Sequence, residues 1–453
     1  MPNPAVTVIG GGLAGCEAAW QAAGHGCAVR LFEMRPGTRT PAHQTDWLAE
    51  LVCSNSLKSD SLEDASGLLK AEMRALGSLI LDCAEAHRVP AGSALAVDRE
   101  AFAAAVTRAV TTHPGIRVFR EEVPALPAAR PVVVASGPLT ADPLSADLQA
   151  CFRSFLVAGA ESLEQGQWLY FYDAISPIVS ADSIDHGVVF AAARYGKGGA
   201  DYLNCPMDRG EYLGFRDALL RGERYPLHDF EQPKYFEGCL PIEALAERGE
   251  DVLRFGPMRP VGLRDPRTDR RPYAVVQLRQ ENRGPDGRVT MYNLVGMQTR
   301  LRRGDQVKAF RLVPGLQQAE ILRYGSIHRN TFIQSPLLLA DTLQFRGDPA
   351  VLFAGQLTGV EGYLESAATG LLAGINAARL AQGGLPVSPP PTTMLGALLA
   401  YITRTDPGTF QPINANFGLL PPTPHLARDR RERHQLHAER ALAQFRAWQL
   451  SLG

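Results

Sequence analysis

The stretch "AVTVIGGGLAGCEAAWQAAGHGCAVRLFE" constrains this chain more than any other, because few folds accept it. An apolar strand-like run, a glycine turn, a small-residue helix and a second apolar run make a βαβ unit of roughly 30 residues. Gly10-x-Gly12-x-x-Gly15 occupies the strand-to-helix turn. The first glycine permits the tight turn, the second lets backbone N–H groups approach a pyrophosphate, and the third lets helix and strand pack closely. The helix N-terminus adds partial positive charge for the phosphates. Glu33 ends the second strand 18 residues after Gly15, where a carboxylate accepts from ribose hydroxyls. The predicted dinucleotide contacts are Gly10, Gly11, Gly12, Leu13, Ala14, Gly15 and Glu33. The competing reading is a structural glycine turn followed by an ordinary exposed glutamate.

Two later segments choose FAD over NAD as the resident dinucleotide. "VVVASGPLT" is a buried-looking strand ending in a small-residue turn at Gly137, which lets a cofactor lie against backbone. "VLFAGQLTGVEG", holding Gly355 and Gln356, leads into a small-residue helix whose N-terminus would face a flavin. No second strand–GxGxxG–helix occurs, since "GKGGADYL" lacks the preceding strand. The expected fold is α/β: a Rossmann-like FAD-binding domain of glutathione-reductase-like type with an inserted α+β domain. Residues 1–145 form its first part, 146–325 the insertion, with short alternating runs such as "PYAVVQLRQ", and 326–453 the returning part with a helical tail. Within the first part, "TDWLAELVC" reads as a helical run ending at Cys53. One long helix is expected from about Ser61 to His87, burying Leu69, Met73, Leu76, Ile80 and Cys83.

With 45% hydrophobic and 21% charged residues, the chain reads as an ordinary soluble protein with a sizeable core. A strand begins almost at Met1 and no apolar run reaches membrane-spanning length, so a cytoplasmic location without a membrane anchor is expected. Seven scattered cysteines without a CxxC pair argue against a zinc ribbon or a disulfide-redox centre, and no metal is expected. The formal charge of −1 means that any nucleic-acid binding must use a local patch. Lysine stands only at 58, 70, 197, 234 and 308, a skew toward arginine best explained by codon usage.

Further segments carry a resemblance. "LFEMRP", "AELVCSNSLKS", "AGSALAVDR", "YLNCPM", "YFEGCLPIE", "YGSIHRNTFI", "FAGQLTGVEGYLESAATGLLAGINAA" and "FQPINANFGLL", with the glycine turn, are similar to the folate- and FAD-dependent tRNA (uracil-5-)-methyltransferases. The likeness runs from residue 5 to about 420 and is loose beyond. It implies C5-methylation of the T-loop uridine (U54) of tRNA, with methylenetetrahydrofolate as carbon donor and FAD reduced by NAD(P)H. The implied partners are tRNA, folate and NAD(P)H, with no stable protein partner. The related flavoenzymes of the anticodon wobble uridine share the "FAGQ" style but carry a longer helical C-terminal region. A plain NAD(P)H-dependent flavin oxidoreductase would lack the RNA substrate, and an RNA-binding protein would keep FAD only as a structural element.

The resemblance makes Cys239, in "YFEGCLPIE", the thiolate that attacks uracil C6, and puts Cys53 near the flavin as a partner thiol or acid/base. Ser54, Asn55 and Ser56 are expected to hydrogen-bond the Cys53 sulfur. Cys205, in "YLNCPM", is the main rival nucleophile. For the folate we expect Arg279, His328 and Arg329, an imidazole face for the pterin and guanidinium forks for its carboxylate tail, with Tyr363 a weaker candidate. For RNA phosphates, "QTRLRRGDQVKAFR" offers Arg302 and Arg303 beside Arg300, Lys308 and Arg311.

Overall fold

The computed structural model describes residues 4–40, 42–158, 168–196, 199, 201–225, 240–283, 288–423 and 429–452. Ala5–Ile9 lies in a six-stranded sheet, flanked in parallel by Ala28–Phe32 and Val132–Val134. Ile116–Phe119 extends one side, and Asp348–Phe353 extends the other in parallel register with Val132–Val134. A strand from the far end of the sequence thus completes the nucleotide sheet, as a Rossmann-like FAD domain requires. Gln344–Phe345 closes that edge antiparallel.

The helix Leu13–Gly24 packs against the long helix Tyr363–Ala381 through small residues. A Cβ on Gly370 would lie 2.2 Å from Ala14 O, and one on Gly374 would lie 2.4 Å from Ala18 O. The run "AATGLLAG" is therefore small because two helix backbones touch there. This contact draws the N-terminus of Tyr363–Ala381 to the glycine turn.

The expected helix from Ser61 to His87 is two helices, Ala65–Ala75 and Leu79–Ala86. Leu69, Met73 and Ile80 of the predicted stripe are buried and Leu76 and Cys83 partly so, but the backbone breaks at Gly77, whose φ is +70°. The cause lies elsewhere in the chain. The buried carboxylate of Glu17 accepts from Ser78 Oγ at 2.8 Å, Leu79 N at 3.2 Å and Ile80 N at 3.0 Å, starting a new helix. "TDWLAELVC" is likewise not helical. Its N–H groups are committed to tertiary partners: Ala49 N–H to Gly11 O at 2.9 Å and Leu48 N–H to Thr107 Oγ1 at 2.8 Å.

The second body is a six-stranded antiparallel sheet, in the order Phe190–Ala191, Tyr202–Met207, Ala274–Arg283, Val289–Leu294, Ile178–Ser180, Ile321–Arg323. Helix Arg209–Arg221 and its neighbours cover it with a separate apolar core. A two-stranded ribbon, Trp168–Ile175 with Ser326–Ile333, joins the bodies. The expected boundary at 145 falls inside helix Asp142–Ala158, whose Leu144, Leu148, Phe152 and Leu156 pack on the nucleotide sheet. That apolar face carries the first domain on to the end of the helix.

Glu72 is fully buried and caps the helix Met394–Arg404, accepting from Met394 N at 2.7 Å and Leu395 N at 2.8 Å. Glu72→Ala orphans both donors and leaves a void. It should lower stability by about 2–3 kcal/mol, while Glu72→Gln, which keeps one acceptor, should cost roughly half as much, read from urea midpoints.

Candidate active site

The glycine turn has the geometry that its spacing demands. Gly10 has φ +104°, and a Cβ there would lie 2.3 Å from Ala135 O. A Cβ on Gly15 would lie 1.7 Å from Gly10 O. Gly12 differs, since a Cβ on it would meet nothing within 4 Å. Its missing side chain leaves open space on the wall of a cavity of about 480 Å³.

Glu33 is buried, not an ordinary exposed glutamate. Its Oε2 accepts from Gly11 N at 2.9 Å, and its Oε1 from Arg35 N at 3.0 Å and Arg35 Nε at 2.7 Å. Arg35 is fixed in turn by Glu50 at 3.0 Å. Burial pushes the Glu33 pKa up, but the hydrogen bonds and charge of Arg35 outweigh it and hold the carboxyl below its ordinary value. An ionised acceptor therefore stands at the edge of the cavity. Gly10–Ala14, Glu33, Gly137, Gly355 and Gln356 all line this one space. The glycine cradle, the fixed carboxylate and a lining that runs from Gly10–Ala14 to Gly355 and Tyr363 are features that suit a dinucleotide.

Cys53 lines the same cavity, together with Gly362 and Tyr363. Its N–H donates to Tyr363 Oη at 2.7 Å, the Ser54 N–H does so at 3.3 Å, and the Cys53 sulfur stands 2.9 Å from the same oxygen. Two N–H groups donate to the phenol oxygen, and either the thiol proton or the phenol proton bridges sulfur and oxygen. Burial, then the neighbouring Cys53, pushes the Tyr363 pKa well above the ordinary value, so the phenol keeps its own proton. Arg99, which pairs with Glu281 at 2.9 Å, Arg279 and Arg323 are all within electrostatic reach of this thiol. Burial of Arg279 pulls its pKa down, with Glu281 opposing.

The expected polar partners of the thiol are engaged elsewhere. Ser54 Oγ accepts from Arg279 Nη2 at 2.9 Å, Asn55 Oδ1 accepts from Arg279 Nε at 2.7 Å, and Ser56 Oγ accepts from Lys58 N. Asn55 Nδ2 donates to Val97 O and Gln280 O. "CSNS" is thus a clamp that fixes the thiol turn to the second sheet, and Arg279 is its buried pin. Tyr363, the weak folate candidate, is the contact that sequence reasoning undervalued. Its signal was its place: the first residue of a helix after Gly362, whose φ is +116°.

Cys239 lies outside the described residues, which resume at Leu240. Ile242 then donates to Gln298 O at 2.7 Å, and Gln298 lines the main cavity. Cys205 is fully buried in the second core, and burial raises its pKa strongly, the setting of a packed core thiol. His328 and Arg329 pair with Asp173 and Tyr172 in the ribbon, and their side chains are outside the described set. Arg302 pairs with Glu223 at 3.3 Å, and the Arg303 guanidinium lies 5.4 Å from the Tyr324 ring. Lys308 pairs with Asp305 at 3.0 Å and Arg311 donates to Ala319 O. That basic segment is largely compensated. Among the described residues no His, Cys, Asp and Glu group could hold a metal, and no helix is long and apolar enough to cross a membrane.

The family model described as glucose inhibited division protein A matches residues 5–384. The methylenetetrahydrofolate--tRNA-(uracil-5-)-methyltransferase TrmFO of Heliobacterium modesticaldum is 57% identical over 437 residues, 96% of each chain. The protein of the same name from Geobacter sulfurreducens is 56% identical over 98% of each chain. The chain belongs to the glucose inhibited division protein A family and, within it, to TrmFO. Among solved structures, GidA of Aquifex aeolicus aligns with a TM-score of 0.65 at 17% identity, covering 98% of this chain and 73% of that one. At that identity the likeness concerns the fold, and it extends over both bodies of this TrmFO member. The Cys53–Tyr363 pair thus lines the glycine-turn cavity of a TrmFO-family chain.

Proposed function

We propose that this protein methylates C5 of the T-loop uridine (U54) of tRNA, with methylenetetrahydrofolate as carbon donor and FAD as resident cofactor, reduced by NAD(P)H. The observation that carries the reading is the Cys53–Tyr363 pair on the wall of the glycine-turn cavity, in a chain whose relatives are named for methylenetetrahydrofolate-dependent methylation of tRNA at uracil C5. The reaction draws on cytoplasmic pools and calls for no stable protein partner.

The chemistry explains the residue types. Uracil C5 is a poor carbon nucleophile, and addition of a thiolate at C6 turns the ring into an enolate whose C5 attacks an electrophilic methylene. Loss of the C5 proton and of the carrier nitrogen leaves an exocyclic methylene, and hydride addition to that carbon expels the thiolate and restores the ring. The donated carbon is at the formaldehyde level, so a methyl product also needs a hydride. Bound reduced FAD supplies redox capacity for that step. Gly10–Gly15 and Glu33 would hold the cofactor, and Cys239 is assigned the attack on C6. Cys53, held by the Tyr363 hydroxyl and within electrostatic reach of three guanidiniums, handles the one-carbon unit or a proton beside the ring. His328 and Arg329 are assigned to the folate, and Arg279 supports the Cys53 turn and its charge. Arg302 and Arg303 remain exposed enough for outlying RNA phosphates.

The test is transfer of label. Purified protein with FAD, NAD(P)H, carbon-labelled methylenetetrahydrofolate and unmodified tRNA transcript should yield labelled 5-methyluridine. Brisk NAD(P)H oxidation with no label in the RNA would overturn the assignment in favour of a plain flavin oxidoreductase.

A further inference from the structure

Most arginines of the second body are compensated: Arg264 by Asp269, Arg267 by Asp265 and Arg224 by Glu247. Arg194 and Arg259 are exceptions. Among the described residues neither guanidinium has an ion pair or a side-chain hydrogen bond, and Arg194 Nε is buried without a partner. The two sit on loops that touch. Tyr195 N–H donates to Gly262 O at 3.0 Å, and a Cβ on Gly262 would lie 3.0 Å from the Tyr195 ring. The bare glycine therefore takes one face of the ring, while Tyr195 as a whole stays 60% exposed. Burial, and next the charge of Arg259, pulls the Arg194 pKa below its ordinary value, so two like charges act on each other with no counter-ion among the described residues. Keeping them so is costly unless an anion arrives.

The loop also points back to the thiol. Ala192 N–H donates to Tyr202 O at 3.0 Å, Tyr202 stands opposite Arg279 in the sheet, and Arg279 binds Ser54, next to Cys53. Tyr202 Oη donates to Ala91 O, so this end of the second sheet abuts the nucleotide domain.

We propose that Arg194 and Arg259, with the exposed ring of Tyr195, form a phosphodiester-and-base contact for the RNA strand that leads to the Cys53 site. The guanidiniums take a phosphate, and the ring gives a sequence-tolerant face on which an adjacent unpaired base stacks. This rests on the tRNA reading above and assigns it a docking surface separate from the Arg302–Arg303 segment.

The experiment is binding of unmodified tRNA transcript to the FAD-loaded enzyme by fluorescence anisotropy across a salt series. Arg194→Gln/Arg259→Gln should bind about tenfold to a hundredfold more weakly, the cost of losing charge-assisted bonds. Its slope of log Kd against log salt should be shallower by about 1 for each arginine removed. Tyr195→Ala should weaken binding and leave that slope unchanged. Arg264→Gln/Arg267→Gln, which removes charges already paired, should bind nearly as the parent does. Arg259→Gln alone, at an exposed position, gives the same test in a variant whose fold is not at risk. Flavin absorbance and tRNA-independent NAD(P)H oxidation should stay at parental values in every variant. Parental affinity and slope in both the Arg259→Gln and the double variant would overturn the inference. If the parent enzyme itself fails to bind tRNA at low salt, the tRNA reading falls instead.

Discussion

Gly15→Ala and Gly12→Ala should separate folding from cofactor binding, although both lie in one turn. In Gly15→Ala the new methyl would sit 1.7 Å from Gly10 O, a backbone atom that cannot move without shifting strand Ala5–Ile9 against its helix. We expect a protein destabilised by about 3 kcal/mol or more, with FAD lost on purification. Gly12 has φ −75° and ψ −171°, which any residue adopts, and its methyl would meet nothing within 4 Å. Gly12→Ala should therefore show parental stability when stripped of FAD. It should bind FAD about a hundredfold more weakly, because the methyl occupies the space through which backbone N–H groups approach a pyrophosphate. Thermal melts of apoprotein and flavin titrations measure the two effects separately. Stoichiometric FAD at unchanged affinity in Gly12→Ala would place the pyrophosphate somewhere other than this turn.

The contrast between these glycines marks what was legible in the sequence. Gly10 and Gly15 could be read because a tight turn and a close helix–strand approach follow from spacing within one βαβ unit, and the same spacing put Gly12 and Glu33 on one cavity. Gly137 and Gly355 could be read because each ends a buried strand in a small-residue turn, and both strands enter the same parallel sheet. Residues whose role depends on a remote partner were hidden. Glu17 breaks a helix that starts near Ala65, and the apolar stripe from Leu69 to Cys83 carries no trace of that carboxylate. The serines and asparagine after Cys53 looked like partners for sulfur because they adjoin it in sequence. In the fold, Arg279 from 225 residues downstream takes Ser54, and Tyr363 from 310 residues downstream reaches Cys53. Adjacency along the chain was the wrong metric there, since side chains beside a thiol in a turn diverge while a helix start can aim one phenol at it.

The thiols should then respond to mutation in distinguishable ways. Cys239→Ala should abolish label transfer from folate to tRNA, by about 10⁴-fold or more, since no other group in the assigned chemistry adds to uracil C6. Flavin content and reduction by NAD(P)H should be unchanged. Cys53→Ala should also remove transfer, but it takes away a group lining the cavity, beside the proposed flavin ring, so the absorbance of bound flavin should shift as well. Tyr363→Phe is the sharper probe. It removes the hydroxyl that stands 2.9 Å from the sulfur and accepts from two backbone N–H groups, while the ring stays in place. If that hydroxyl donates to the sulfur, its loss takes away a hydrogen bond to a charged group, worth about 1.5–3 kcal/mol. Transfer should fall roughly tenfold to a hundredfold, and thiol alkylation at Cys53 should need a higher pH than in the parent. A Tyr363→Phe enzyme that transfers label at the parental rate, with Cys53 alkylated at the same pH, would show the phenol to be a structural clamp on the turn and leave the charge on sulfur to the arginines alone.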